Sequence, residues 1–424
     1  MNFREAEAYL YSLGNEVEAM KLGLDNIRTL VAALGDPQND YLKVQVAGTN
    51  GKGSVCAFLN SICLEAGIKT GMYTSPHLIS ITERVRINGV DISEDDFARF
   101  ANHVRETAEK LLAEERLTYI PTYFEQVTAI ALLAFSEAKV QLAILETGLG
   151  GRLDATTAAN AEICAITRID LDHQEYLGET IEEIGAEKAA TIRTSTRSVV
   201  IGEQSPEAMA VIDKRIKGRN TTGRECAPVV RRATSLTPEL PTVALGLPGI
   251  HQQENAKVAI LLAEVLREYF PISADNIASG LADARHTGRL EYSGLYLFDG
   301  AHNLGGAKVL AAYLSEFEKR PITLVFGAME GKDVSGMAAL LFPLAEKVVL
   351  TAPKNSRAMS AEKILASIST VREGETIIVT SAVAEALAKA NEITEDDSLI
   401  LVTGSLYLVG EAKRIIGDMA VREE

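Results

Sequence analysis

The stretch Gly48-Thr49-Asn50-Gly51-Lys52-Gly53-Ser54 limits what this chain can fold into more than any other. It follows an apolar run from Val44 to Ala47, interrupted by Gln45, and precedes Val55 to Ala66, which reads as a helix. A glycine-rich turn between a strand and a helix N-terminus gathers backbone N–H groups around an anion. A lysine adds a point charge, and a serine hydroxyl can hold a magnesium ion. The stretch is shorter than the usual phosphate loop, and Gly53 intrudes between Lys52 and Ser54. A plain strand-to-helix turn would explain one glycine, but hardly three around a lysine.

At 424 residues the chain calls for two or three domains. Its net charge of −16 argues against a nucleic-acid surface, so any anionic ligand must rely on a local positive cluster. No run of apolar residues is long enough to span a bilayer, and Met1 to Glu5 shows no signal-peptide core; no membrane partner and a cytoplasmic location are expected. Cys56, Cys63, Cys164 and Cys226 show neither metal-ligand nor disulfide spacing, and Cys56 and Cys63 are spaced as core positions of one helix. No exposed apolar repeat suggests an assembly seam, so a monomer is expected.

Residues 1 to 41 read as helical up to a break at Gly35-Asp36-Pro37. Beyond the glycine turn come a strand at Lys69 to Tyr73, an alternating strand at Arg84 to Asn88, and a helix capped at Ser93. A helix at Thr122 to Ala138 then leads to a buried strand ending on Glu146, and a strand at Ala161 to Thr167 leads into a polar loop. A helix at Thr180 to Ile192, a strand at Ser198 to Ile201, a β-rich stretch near 218 to 248 and a helix at Gln252 to Tyr269 complete the first part. The alternation restarts after a boundary between Arg285 and Gly294. These spacings predict an α/β chain: a P-loop ATPase-type parallel-sheet domain over 1–290, then a smaller doubly wound, Rossmann-like domain over 291–424.

In open parallel sheets ligands bind beyond the carboxyl ends of the strands. Glu146 ends a strand there and suits a magnesium ligand, although a capping or ion-paired glutamate fits equally. His173 lies in the loop after the next strand, where a lone histidine is usually a surface residue. Lys188 falls on the apolar stripe of Ile181, Ile184, Gly185 and Ile192, where a charge needs a partner. It either pairs with Glu183 or Glu187, snorkels, or enters the nucleotide crevice, modified or unmodified. Asp299 and His302 close the first strand of the second domain, and Arg289 lies at the proposed hinge as a phosphate contact or a salt-bridge partner.

Val46 to Ser54, Thr74 to Leu78, Glu83 to Gly89, Glu146 to Thr156, Leu171-Asp172-His173, Glu187-Lys188-Ala189, His251 to Ala256 and Asp299 to Asn303 together resemble folylpolyglutamate synthase, a Mur-ligase-superfamily family whose bacterial members often double as dihydrofolate synthase. The resemblance runs through the whole chain in order. It implies an amide ligation of L-glutamate onto a folate or dihydropteroate through an acyl phosphate made with ATP. It implies that Asn50, Gly51, Lys52, Gly53 and Ser54 hold the triphosphate, with Asn255, Arg289 and Asp299 as further nucleotide contacts. It implies magnesium, as two ions, at Ser75, Glu146, His173 and a carbamylated Lys188, with room for a monovalent cation. Lys52, Lys188 and His302 are the implied catalytic residues. His302 and, more weakly, Ser405 are implied for the glutamate, and Pro76, His77, Arg84, Asp154 and Ala155 for the folate side. Arg84 and Arg86 also read as plain strand-surface charge, the simpler alternative. A different Mur-type carboxylate substrate, or a nucleotide-binding module without ligase activity, are the competing readings. Arg168, Asp170, Thr287, Leu304-Gly305 and Ala190-Thr191 depart from the family's common residues (asparagine, glycine, proline, Pro-His and Gly-Ile), without removing an implied ligand.

Overall fold

The strand that feeds the glycine-rich turn lies inside an eight-stranded sheet of the computed structural model, which describes residues 1–14, 23–220, 227–234, 237–368 and 376–423. That sheet comprises β1 (Leu42–Ala47), β2 (Thr70–Tyr73), β3 (Val85–Ile87), β4 (Val90–Asp91), β5 (Leu142–Glu146), β6 (Ile163–Ile166), β7 (Ser198–Ile201) and β8 (Val229–Arg232). Their order is β4-β3-β2-β5-β1-β6-β7-β8. From β2 to β8 every pairing is parallel, while β3 and β4 add an antiparallel edge. The connection leaving β1 leads to the β2 side and that leaving β6 leads to β7. The loops after β1 and β6 therefore diverge at a topological switch point, the usual ligand crevice of an open α/β sheet.

The helix after the glycine turn begins at Lys52, earlier than its apolar pattern suggests, because Gly51 adopts a left-handed conformation (φ 88°) at its N-cap. It is buried on nearly all sides, Cys56 and Cys63 included. It packs so closely on the helix Ala274–Asp283 that a Cβ on Gly280 would come within 2.4 Å of the Ile62 Cα. The expected helices are present, with Ser93, Thr122 and Thr180 as N-caps. The N-terminal region contributes two described helices, Phe3–Ser12 and Asp25–Ala33. Two further helices lacked a strong sequence signal. Pro206–Asn220 buries only a thin stripe of Ala208, Ile212 and Ile216, and Ala274–Asp283 is short. The stretch expected to be β-rich contains one described strand, β8; Cys226 lies outside the described residues.

The second sheet comprises β9 (Glu291–Ser293), β10 (Tyr296–Phe298), β11 (Ile322–Phe326), β12 (Lys347–Leu350), β13 (Thr376–Val379) and β14 (Leu399–Thr403), in the order β13-β12-β11-β14-β10-β9. All its pairings are parallel except that of β9 with β10, a hairpin that turns at Gly294. Fully buried strands such as Ile322–Phe326 and Leu399–Thr403 read as continuous apolar runs because helices cover both faces.

The chain divides into two compact units. One holds Met1–His77, Ile81–Gly246 and Gln252–Arg285; the other holds Leu78–Ser80, Leu247–His251 and His286–Glu424. Two short excursions from the first stretch of sequence thus belong to the second unit, a feature no local pattern announces.

Candidate active site

The glycine turn is shaped by what touches it. A Cβ on Gly48 would lie 1.9 Å from the Thr167 Oγ1, and one on Gly51 would lie 2.2 Å from the Asn255 Oδ1. Both positions also have positive φ, so side chains are excluded by space and by backbone conformation. The turn is strapped to the loop after β6: Thr49 N–H donates to the Arg168 carbonyl (2.8 Å), and Thr49 Oγ1 donates to the Asp170 carbonyl (3.0 Å). Asn50 Nδ2 donates to Asp170 Oδ2 (3.1 Å), and Arg168 is ion-paired with the same carboxylate. The two departures, Arg168 and Asp170, thus hold the turn in place together.

Lysine amines converge on the same backbone. Lys52 Nζ donates to the carbonyls of Gly48 (3.2 Å) and Thr49 (3.1 Å). Lys188, only 4% exposed, donates from Nζ to the Gly48 carbonyl at 2.9 Å. Neither suggested pairing forms. Glu183 closes the capping box on Thr180, and Glu187 pairs with Arg152. Burial, and then the neighbouring Lys52, pull the Lys188 amine down to about 7; Asp172, Asp154 and Glu187 oppose this more weakly.

Glu146 stands beside Val46 in the sheet, immediately flanking the turn, and its Oε2 accepts the Ser75 backbone N–H (3.1 Å). The Ser75 hydroxyl is buried with no hydrogen-bond partner. Ser54 Oγ accepts from Gln252 Nε2 (3.2 Å), and Gln252 Oε1 accepts from Asn255 Nδ2 (2.9 Å). His173, with φ 52°, takes its own N–H to Asp172 Oδ1, and its Nε2 lies 3.8 Å from Asp172 Oδ2.

Arg84 is not strand-surface charge. It is 2% exposed in a 3-10 turn, donates from Nε to His77 Nδ1 (2.8 Å) and lies over the Tyr123 ring (5.4 Å). Tyr123 stacks on Tyr11, whose hydroxyl meets His77 Nε2. Burial, then Arg84, hold the His77 imidazole down at about 3, so it is neutral. With Nδ1 accepting from Arg84, its proton sits on Nε2 and points to Tyr11. Arg86 does behave as surface charge, paired with Asp91 at 2.6 Å across the hairpin.

Residues 46–263 match the Mur ligase middle domain, and residues 288–406 match the Mur ligase, glutamate ligase domain. A dihydrofolate synthase/folylpolyglutamate synthase of Bacillus subtilis is 33% identical over 97% of this chain and 98% of its own length. The chain belongs to the folylpolyglutamate synthase family. A probable bifunctional folylpolyglutamate synthase/dihydropteroate synthase of Halobacterium salinarum is 38% identical over 97% of this chain and 51% of its own length. The chain thus spans about half the length of that curated relative. Among solved structures, a bifunctional folylpolyglutamate synthase/dihydrofolate synthase with Mn, AMPPNP and L-glutamate bound superposes with a TM-score of 0.82. The two are 28% identical, with 98% of each chain covered.

Set against the folylpolyglutamate synthase pattern, Ser75 and Glu146, two of the residues expected to hold magnesium, pass a chemical test. A buried serine hydroxyl without a partner, beside a carboxylate at the strand end, is an oxygen-donor pair suited to magnesium. Among the described residues no three His, Cys, Asp or Glu side chains converge as a cage. Magnesium normally keeps waters and phosphate oxygens in its shell, so such a cage is not required.

Asp154 has a different local duty from the contact expected of it. Its Oδ1 accepts from Thr156 N, its Oδ2 accepts from Leu149 N (3.0 Å), and burial pushes its carboxyl up. It organises the loop after β5, while Ala155 is packed in the core. Behind that loop Gln45 donates to Thr147, Thr156 and Thr157; its interruption of the apolar strand was the available signal.

In the second unit Asp299 is fixed by two backbone donors, Leu290 N (3.0 Å) and Ala301 N (2.9 Å); burial raises its pKa and Arg289 opposes that. A Cβ on Gly300 would lie 3.4 Å from the Arg289 Nη1, and His302 Nδ1 meets the Gly300 carbonyl (2.8 Å). Asn303 then caps the helix Leu304–Phe317, placing His302 just ahead of a helix N-terminus that favours anions. Ser405 is buried at the same carboxyl edge, accepting from Tyr407 N (3.2 Å). Leu304 and Gly305 simply begin that helix, and Thr287 precedes the turn that Gly288 and Glu291 close.

Proposed function

We propose that the chain is an ATP-dependent carbon–nitrogen ligase that joins L-glutamate to a folate, and to dihydropteroate, releasing ADP and phosphate. The observation that carries this is the convergence of Lys52 and Lys188 on the carbonyl of Gly48, beside Glu146 and the unpartnered Ser75 hydroxyl. A phosphate loop that only binds nucleotide has no need of a second, fully buried lysine. The relative that binds AMPPNP, Mn and L-glutamate supports the reading.

In this reading a carboxylate oxygen of the pterin substrate attacks the γ-phosphorus of ATP, and ADP leaves. The amine of L-glutamate then attacks the acyl carbon, phosphate departs, and the amine proton is lost. The protein's task is positioning and charge stabilisation rather than nucleophilic attack. The backbone amides of Asn50 to Ser54 cradle the phosphates, with the Lys52 ammonium turned from Gly48 and Thr49 onto phosphate oxygen. Ser75, Glu146 and His173 would hold magnesium, which supplies neutralisation of phosphate charge. A half-neutral, buried Lys188 amine is suited to carbamylation by carbon dioxide, giving an anion that would serve a second magnesium ion. Asn255, Arg289 and Asp299 are assigned to the nucleotide, and His302 and Ser405 to the glutamate. His77, Arg84 and the loop ordered by Asp154 are assigned to the pterin substrate. A monomer acting on small molecules is sufficient for this chemistry.

The test uses purified protein with Mg-ATP, L-glutamate and either dihydropteroate or tetrahydrofolate, reading phosphate release and product mass. The reading expects glutamate-dependent phosphate with a product heavier by one glutamyl residue. No such release with either pterin would overturn it.

A further inference from the structure

Gln252 is 2% exposed and stands between two groups assigned to the nucleotide. Asn255 Nδ2 donates to Gln252 Oε1 (2.9 Å), and Gln252 Nε2 donates to Ser54 Oγ (3.2 Å). These bonds run in one direction, because an amide that accepts at its oxygen presents its nitrogen at the other end. Ser54 therefore spends a lone pair on Gln252, and no acceptor among the described residues takes its proton. Ser54 lies in the first turn of the helix Lys52–Glu65, where the backbone N–H groups also point outward to an anion. At the far end, the Asn255 Oδ1 lies against the glycine turn, close enough that Gly51 admits no side chain.

We infer that Gln252 is a positioning residue that turns the Ser54 hydroxyl into a hydrogen-bond donor toward bound phosphate, under the control of Asn255. The inference rests on the proposed ATP site. Asn255 donates to Gln252, Gln252 donates to Ser54, and Ser54 donates to a phosphate oxygen, each bond polarising the next. Reversing the direction would make Ser54 donate into the protein and leave its lone pairs facing phosphate, a repulsive arrangement. The sequence placed Gln252 in a recognised run, but assigned it no role.

The experiment measures binding of adenosine, AMP, ADP and ATP by calorimetry in the wild type, Gln252→Met, Ser54→Ala and the double variant. A hydrogen bond to a charged phosphate corresponds to roughly ten-fold in affinity. Gln252→Met is expected to weaken ADP and ATP by about ten-fold and to leave adenosine within about two-fold. In the Ser54→Ala background it should add nothing, because it acts through that hydroxyl. Asn255→Asp, at a half-buried position, removes the donor that sets the Gln252 amide. It should give an equal loss for the phosphate-bearing ligands even where Gln252→Met fails to fold. Additive losses in the double variant, or equal losses for adenosine and ADP, would overturn the relay and leave the ligase reading standing. A wild type that binds no ADP would overturn both.

Discussion

Lys188 reaches from the last turn of a helix to the carbonyl oxygen of Gly48, 2.9 Å away, and so binds the helix Ile181–Ala189 to the glycine-rich turn. A buried ammonium with one backbone acceptor is costly, and burial accordingly holds the amine down at about 7. The pairing makes sense when the lysine is read as part of the reaction centre rather than as a structural tie.

Replacing Lys188 with alanine is therefore expected to lower turnover by at least about a hundred-fold, the scale of removing a preorganised charged group. Small carboxylates such as acetate, added to that variant, should restore part of the rate. Full activity in Lys188→Ala would eliminate the carbamate.

The pH dependence follows from the same group. Carbamylation needs a neutral amine, so the rate should fall on the acid side of about 7, and added bicarbonate should lift the low-pH limb. In carbon dioxide-free buffer the folded state resists protonating Lys188 while the unfolded chain, at 10.5, does not. The unfolded state then binds more protons between these values, so stability rises with pH from 7 toward 10.5. Denaturant titrations of Lys188→Met should lack that rise; an unchanged slope would assign it to other groups.

Glu146→Ala removes the strand-end carboxylate and the acceptor of the Ser75 N–H. The magnesium concentration for half-maximal rate is expected to increase about ten- to a hundred-fold. The melting temperature should change little, which circular dichroism would check. Unchanged magnesium dependence would remove Glu146 from the metal site.

Asp170→Ala frees Asn50 from its 3.1 Å bond and leaves Arg168 without its partner beside the turn. A few-fold rise in the KM for ATP is expected, with kcat nearly constant, since a single hydrogen bond of about 1 kcal/mol orders the loop. Steady-state kinetics at saturating glutamate would read it. A fall in kcat alone would place Asp170 in the chemical step.

The fold was legible where local rules were strong. The glycine turn, the apolar strands at Leu142–Glu146 and Ile322–Phe326, and the caps at Ser93 and Thr180 all carry their signal within a few residues. The helix Pro206–Asn220 escaped because it buries only a thin stripe, and β9 because a three-residue strand has no period to read. Arg84 was misread because alternation places a side chain on a face without saying what covers it. Here His77, a few residues before it, and Tyr123, from a distant helix, do so.

By itself the sequence determined that the chain would build two parallel-sheet units, with a phosphate-type loop at the start of the first. Glycines, caps and apolar runs act over one or two turns of backbone, and that range is what a pattern can report. Tertiary structure alone decided the direction of the Asn255–Gln252–Ser54 bonds, the burial of Arg84 and the partner of Lys188. Hydrogen-bond direction and desolvation depend on which groups meet across the fold, and residues 48 and 188, or 54 and 252, meet only once the sheet has formed.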